Sequence, residues 1–236
     1  MEITRLNYDL STKDVNVFGF LKTSAMFTMM QDAAVKSSND MGAGYHAMLE
    51  KNLIWIVALQ KAEIIKLPKW GDSITLESWP GKPMHSLMPR YYRFLDSEGE
   101  SIINCSSLWS LVDIDDRRMI NPDERGLEFP YIVTGNEIGR PRSPKGSADI
   151  HGGDFTVPYS FLDLNGHMNN CRYFDICEDV LPAAQDGRQL KCVTAEYSSE
   201  IKLGETISLD RTEKDGKHLV IGSTDRPCFK VLFEYE

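Results

Sequence analysis

The chain lacks long apolar runs. Nothing in its 236 residues approaches the roughly 18 consecutive apolar positions of a membrane span, and its first ten, MEITRLNYDL, have neither a basic start nor a hydrophobic signal region. A cytoplasmic chain without membrane insertion is the expectation. Paired cysteines are missing too: Cys105, Cys171, Cys177, Cys192 and Cys228 are odd in number, scattered through apolar sequence, and show no CxxC spacing. Reduced, packed thiols are expected. Basic charge is in deficit, with 26 Lys and Arg against 35 Asp and Glu and a net charge of −9. This argues against general binding of nucleic acid, which needs a concentrated basic surface. There is no GxSxG elbow, P-loop or GxGxxG motif, and no convincing metal-ligand spacing, so neither cofactor nor metal is expected.

What the sequence does have is DLNGHMNN, Asp163 to Asn170. It places a carboxylate, a carboxamide and an imidazole at alternate positions. In an extended segment Asp163, Asn165 and His167 would point to one side, and the run would enter an amphipathic helix over Met168 to Val180, ended by Pro182.

The chain is also written twice. FGFLKTSAMFTMMQD (Phe18 to Asp32) lies without gaps over NGHMNNCRYFDICED (Asn165 to Asp179) at an offset of 147, matching Gly19 with Gly166 and Phe27 with Phe174. AEIIKLPKWGDSITLE (Ala62 to Glu77) lies over AEYSSEIKLGETISLD (Ala195 to Asp210) at an offset of 133. Two matches in the same order imply a tandem duplication. The difference in offset assigns extra residues around AGYHAMLEKN, read as a second short helix, to the first copy.

Each copy reads as a short strand, one helix and several long strands. In the first, a helix capped near Thr23 buries Met26, Met29, Met30 and Ala33, and strands run at about Leu53 to Lys66, Ser73 to Trp79, Met84 to Leu95 and Ser101 to Asp113. In the second, strands are expected at about Asp154 to Tyr159, Lys191 to Lys202, Thr206 to Arg211, His218 to Ser223 and Cys228 to Glu236. One long helix with a curved antiparallel sheet is the hotdog plan. The expected fold is α+β, a tandem (double) hotdog of two antiparallel sheets, each with a central long helix, in which the sheets join. The expected division is 1–120, a linker at 121–149, and 150–236.

The duplication supplies an internal control. Asn165 falls on Phe18, His167 on Phe20, Asp163 on Asn16 and Glu200 on Leu67. The fold therefore does not require the polar set, which points to chemistry in the second copy. A carboxylate and an imidazole can activate water or act as nucleophile and proton donor, while an amide and free N–H groups at a helix start can stabilise an oxyanion. Thioester hydrolysis needs those functions.

With DLNGHMNNCRY, IWIVALQKAEIIKLPKWGDSITLESWP and SSLWSLVDIDDRRMINPDE taken together, the chain resembles the acyl-acyl carrier protein thioesterases, double hotdog enzymes of plants and bacteria, over nearly its whole length. The resemblance implies an active site of Asp163, Asn165, His167 and Glu200, with Glu200 on a strand after the helix. Plant members place a Cys after that Glu, whereas this chain has Ile201, which argues against a thiol nucleophile.

On this reading Asn165 and a helix N–H hold the thioester carbonyl, Glu200 attacks or activates water, and Asp163 and His167 orient it and handle the proton. The first copy would line an acyl tunnel with Phe18, Phe20, Met26, Met29, Met30 and Leu67. Acyl carrier protein is the implied partner, with Arg90, Arg93, Arg117, Arg118, Arg140 and Arg142 as its candidate docking residues. The absence of a transit peptide favours a bacterial-like cytoplasmic enzyme. Acyl-CoA hydrolysis, a hotdog dehydratase and a non-catalytic acyl-thioester-binding protein are the alternatives, and a monomer or a homodimer are both open.

Overall fold

The long apolar and β-branched runs form strands. The computed structural model describes residues 2–135 and 137–236. Its elements run β1 (Thr4–Asp9), α1 (Thr23–Asp40), α2 (Tyr45–Leu49), β2 (Leu53–Ile64), β3 (Ser73–Pro80), β4 (Met88–Leu95) and β5 (Ser101–Asp113). After an irregular segment come β6 (Ile150–Thr156), α3 (Arg172–Glu178), α4 (Pro182–Gln185), β7 (Leu190–Tyr197), β8 (Thr206–Lys214), β9 (Lys217–Ser223) and β10 (Pro227–Tyr235). Among the described residues no helix is long and apolar enough to cross a membrane.

All ten strands share one sheet, in the order β1-β3-β4-β5-β2-β7-β10-β9-β8-β6. The order has the same plan from either end, so the duplication in sequence is a local twofold in space. The axis runs between β2 and β7, which pair antiparallel and set Lys61 opposite Thr194, the two residues at the same offset of 133 one position before the strand match begins. On the helical side Phe27 and Phe174, also matched in sequence, stack with ring centroids 4.1 Å apart. The two copies thus join through one continuous sheet and one aromatic pair.

α1 is long because its apolar residues recur at helical spacing: Met26, Phe27, Met29, Met30, Ala33, Ala34 and Ser37 are buried. Thr23 is its first residue rather than its cap; the Thr23 hydroxyl instead donates to Glu178 Oε1 at 2.6 Å. The second copy departs from the expected long helix. Asn169 Oδ1 accepts the Cys171 N–H at 2.9 Å, a local turn that delays α3 until Arg172. Proline disfavours helical geometry at the residue before it, and Leu181 is extended, so Pro182 begins a new short helix. The strand expected through Lys202 stops at Tyr197, which leaves Glu200 in the loop after β7.

The main core includes Phe27, Phe94, Phe174, Phe229 and Phe233 in one cluster spanning both copies. Fully burying such a side chain contributes roughly 1.5–3 kcal/mol. Four cysteines are buried, Cys192 is half-buried, and all five are free thiols.

Candidate active site

The two matched loops have one backbone design. In the first copy Asn16 Oδ1 accepts the N–H groups of Phe18 at 3.0 Å and Phe20 at 3.1 Å. In the second, Asp163 Oδ1 accepts those of Asn165 at 2.8 Å and His167 at 3.3 Å. Both turns place a glycine in the left-handed region, Gly19 at φ 77° and Gly166 at φ 75°, where a β-carbon is costly. Each is then tied by an isolated bridge to the loop before a strand, Phe20 to Lys69 before β3 and His167 to Lys202 before β8.

DLNGH is therefore a tight turn and not an extended segment. Asp163 spends its carboxylate on that turn, as Asn16 does its amide oxygen, and makes no hydrogen bond to the His167 ring or to Glu200 among the described residues.

His167 and Glu200 do meet: Nε2 lies 3.2 Å from Glu200 Oε2, with the imidazole largely buried and the carboxylate half-exposed. The Glu200 backbone carbonyl is held by Arg226 Nη2 at 2.8 Å. A third group was not assigned to the site by sequence. Arg117, from the turn after β5, places Nη1 3.3 Å from the same Glu200 Oε2. The Asn165 side-chain amide has no protein hydrogen-bond partner among the described residues and faces a cavity.

That cavity, about 170 Å³, is lined by Gln31, Ala34, Val35 and Ser38 of α1, Ile54 and Trp55 of β2, Met88 and Arg90 of β4, Trp109 of β5, and Phe129. It is apolar but for a few groups, as pockets for small apolar ligands are. The first copy builds its walls and the second supplies Asn165. The Phe18 loop borders a second cleft between the copies, lined by Phe18, Phe20 and Leu67 of the first and by Glu178, Gln185, Gly187 and Tyr235 of the second. The Phe18 ring packs so closely on Gly187 that a β-carbon there would sit 2.9 Å from it.

None of the six residues expected to line an acyl tunnel borders the first cavity. Phe18, Phe20 and Leu67 border the second cleft, which residues of both copies line. Met26, Met29 and Met30 are buried in the core between α1 and the sheet. The expected docking arginines also divide. Arg90 is buried and donates to Ser78 Oγ at 3.1 Å, its guanidinium pulled down from its ordinary pKa by loss of water. Arg93 binds Glu77 at 2.6 Å, whereas Arg118, Arg140 and Arg142 are exposed.

The thiols are unsuited to attack. Burial pushes Cys171 up to about 12, and Cys177 also rises well above the usual thiol range through burial. The N–H groups expected as oxyanion donors at the helix start are mostly engaged: Met168 donates to Ile201 O, Asn169 to Phe161 O and Cys171 to Asn169 Oδ1. Asn165 is the expected donor left unengaged by protein.

Comparison with known proteins agrees with this architecture. Residues 2–124 match the acyl-ACP thioesterase N-terminal domain, and residues 146–229 match the acyl-ACP thioesterase C-terminal domain, where ACP is acyl carrier protein. A palmitoyl-acyl carrier protein thioesterase of Arabidopsis thaliana chloroplasts is 28% identical over 84% of this chain and 52% of its own length. A dodecanoyl-[acyl-carrier-protein] hydrolase of Umbellularia californica is 30% identical over 75% of this chain and 50% of its own. The chain thus spans about half the length of the curated relatives it matches.

Among solved structures, an acyl-ACP thioesterase from Bacteroides thetaiotaomicron superposes with a TM-score of 0.84 at 17% identity, covering 99% of this chain and 98% of the other. The 12:0-ACP thioesterase from Umbellularia californica superposes with a TM-score of 0.82 at 23% identity, covering 99% and 97%. These likenesses establish the double hotdog fold, and with both halves matched in order the chain belongs to the acyl-ACP thioesterase family.

Proposed function

We propose that the chain hydrolyses the thioester of acyl-acyl carrier protein, releasing a free fatty acid and the carrier thiol and so ending chain elongation in fatty acid biosynthesis. The observation that carries this reading is the His167–Glu200 pair, 3.2 Å apart, together with the unengaged Asn165 amide at the edge of an apolar cavity. The acyl chain enters the cavity and its thioester carbonyl accepts from the Asn165 amide. On one route Glu200 takes a proton from water, whose oxygen bonds to the carbonyl carbon, the C–S bond breaks, and the departing sulfur takes that proton by way of His167. On the other Glu200 attacks the carbon itself, the C–S bond breaks, and water then hydrolyses the acyl-glutamyl anhydride, freeing the fatty acid and Glu200 while one of its protons passes through His167 to the sulfur.

In this scheme Asp163 acts through the turn it builds. The division into 1–120 as the acyl-pocket copy, 121–149 as linker and 150–236 as the catalytic copy follows from the same reading. Arg118, Arg140 and Arg142 are the remaining candidates for docking an acidic carrier, as the exposed members of the expected set. A cytoplasmic enzyme, monomeric or homodimeric, completes the proposal.

The test is expression in a bacterium with free fatty acids profiled against Glu200→Ala. Wild type should enrich free acids and the variant should not. Equal profiles would refute hydrolysis through Glu200, and faster turnover of a matched acyl-CoA than of acyl-carrier would transfer the activity to that substrate.

A further inference from the structure

Arg117 belongs to the first copy, yet it reaches the carboxylate of the second. Three observations make that contact a built one. The turn that carries it is organised by Asp113, whose Oδ1 accepts the N–H groups of Asp115 at 3.1 Å and Asp116 at 3.2 Å. Asp113 Oδ2 also accepts Arg125 Nη2 at 2.8 Å. These bonds, that from the Asp116 N–H foremost, hold the Asp113 carboxyl below the usual carboxylate range.

The second observation is backbone conformation. Arg117 sits at φ 54°, the left-handed region that a residue with a β-carbon enters at a cost of order 1 kcal/mol, and its N–H is tied to Asp113 O at 2.9 Å. Such strain persists where the surroundings impose it, and here it directs the side chain across the junction between copies. The third is the division of labour on Glu200. Arg117 Nη1 and His167 Nε2 both contact Oε2, at 3.3 Å and 3.2 Å, while Oε1 has no protein partner among the described residues.

We propose that Arg117 is a positioning residue for the hydrolytic site: with His167 it pins Glu200 Oε2 and thereby aims Oε1 at the water or thioester carbon. The site is then completed by both copies, the first contributing cavity and guanidinium, the second contributing Asn165, His167 and Glu200. This rests on the thioesterase reading above. It also separates Arg117 from Arg118, its neighbour in the sequence, which remains free to meet a carrier. The pair is exposed, 63% for Arg117 and 40% for Glu200, so it contributes little to stability. Its effect lies in geometry, where misplacement by an ångström costs on the order of a hundredfold in rate.

The experiment compares wild type with Arg117→Ala, Arg117→Lys, Arg117→Gly and Arg118→Ala on one acyl group carried by acyl carrier protein, by CoA and by N-acetylcysteamine. For Arg117→Ala and Arg117→Gly, kcat should fall on the order of tenfold to a hundredfold on all three handles with KM little changed. Arg117→Lys should recover part of the loss. The glycine variant, relieved at φ 54°, should melt no lower than wild type.

A loss confined to KM for the carrier substrate and abolished by salt would make Arg117 a docking residue and overturn the proposal, as would unchanged kcat. Wild type inactive on every handle would break the thioesterase reading instead. In that event NMR of isotope-labelled histidine decides on placement alone: His167 ring signals should move in Arg117→Ala and stay in Arg118→Ala, and unmoved signals in both would refute the assignment.

Discussion

The loop Asn16 to Leu21 and the loop Asp163 to Met168 share a hydrogen-bond plan, a left-handed glycine and an isolated bridge to the loop before a strand. They differ in what they hold out from it. The first presents Phe18 and Phe20, and Phe18 packs onto Gly187 over the second cleft. The second presents Asn165 beside the open cavity and His167 against Glu200. Backbone design is thus separable from chemistry: groups present in both loops build the turn, and groups present in one are available for reaction.

The largest expected effect comes from removing what only the second loop has. His167→Ala should lower kcat by about 10²–10⁴ on any thioester, measured at saturating substrate, while leaving the fold intact by circular dichroism. Near wild-type turnover would remove the imidazole from the mechanism and return it to a structural part.

Next comes what the copies share at their axis. Phe174→Ala should cost about 3–5 kcal/mol in denaturant unfolding, and so should Phe27→Ala, because each empties the stacked pair with centroids 4.1 Å apart. The double variant should cost less than the sum, since the rings are mutual partners. Full additivity would deny that the copies are joined through that contact.

A third comparison sets Glu178 against Gln31, its match in the first copy. Burial first, with nearby Asp175 and Asp179, raises Glu178 to about 7 against the opposing bond from Thr23. The folded chain therefore keeps a proton that the unfolded chain loses as pH rises through the ordinary value of 4.5. Stability contributed by this group is full below pH 4.5, declines as pH rises towards about 7, and is level above that. Glu178→Gln, which installs the residue of the first copy, should remove this decline and add roughly 1–3 kcal/mol at pH 8. Parallel stability curves for variant and wild type across that window would contradict it.

The smallest effect should come from Asp163→Asn, which gives the second turn the side chain that Asn16 uses in the first. Stability should stay within about 0.5 kcal/mol and kcat near wild type, as Asn and Asp are nearly equivalent acceptors in such turns. A loss of about a hundredfold in kcat would restore Asp163 to the chemistry.

Much of the architecture is legible in the sequence because duplication leaves matched residues at constant offsets. Lys61 opposite Thr194 and Phe27 on Phe174 are the spatial form of those offsets. Glu200 emerges from the same comparison, as the polar residue matched to Leu67. Side-chain destinations are less legible. Phe18 and Phe20 belong to the first copy by sequence, but they border a cleft whose far wall is built by the second. The length of α3 depends on an Asn169 turn, a local competitor of helix that apolar spacing does not report. Arg117 is hidden for another reason: 83 residues separate it from Glu200, and nothing in RRM distinguishes one arginine from the next until the turn gives one of them a left-handed backbone.

The β2–β7 pairing also sets how many sheet edges the chain exposes. Two separate five-stranded sheets would expose four edges, each a row of unpaired N–H and carbonyl groups open to another chain. The continuous sheet has two, β1 and β6. The β1 edge carries Arg5 and Asp9, and β6 is disrupted by a register shift between His151 and Gly153. Charge on one edge and a bulge on the other oppose strand addition, so the fusion of the two sheets leaves the chain poorly suited to polymerise through them.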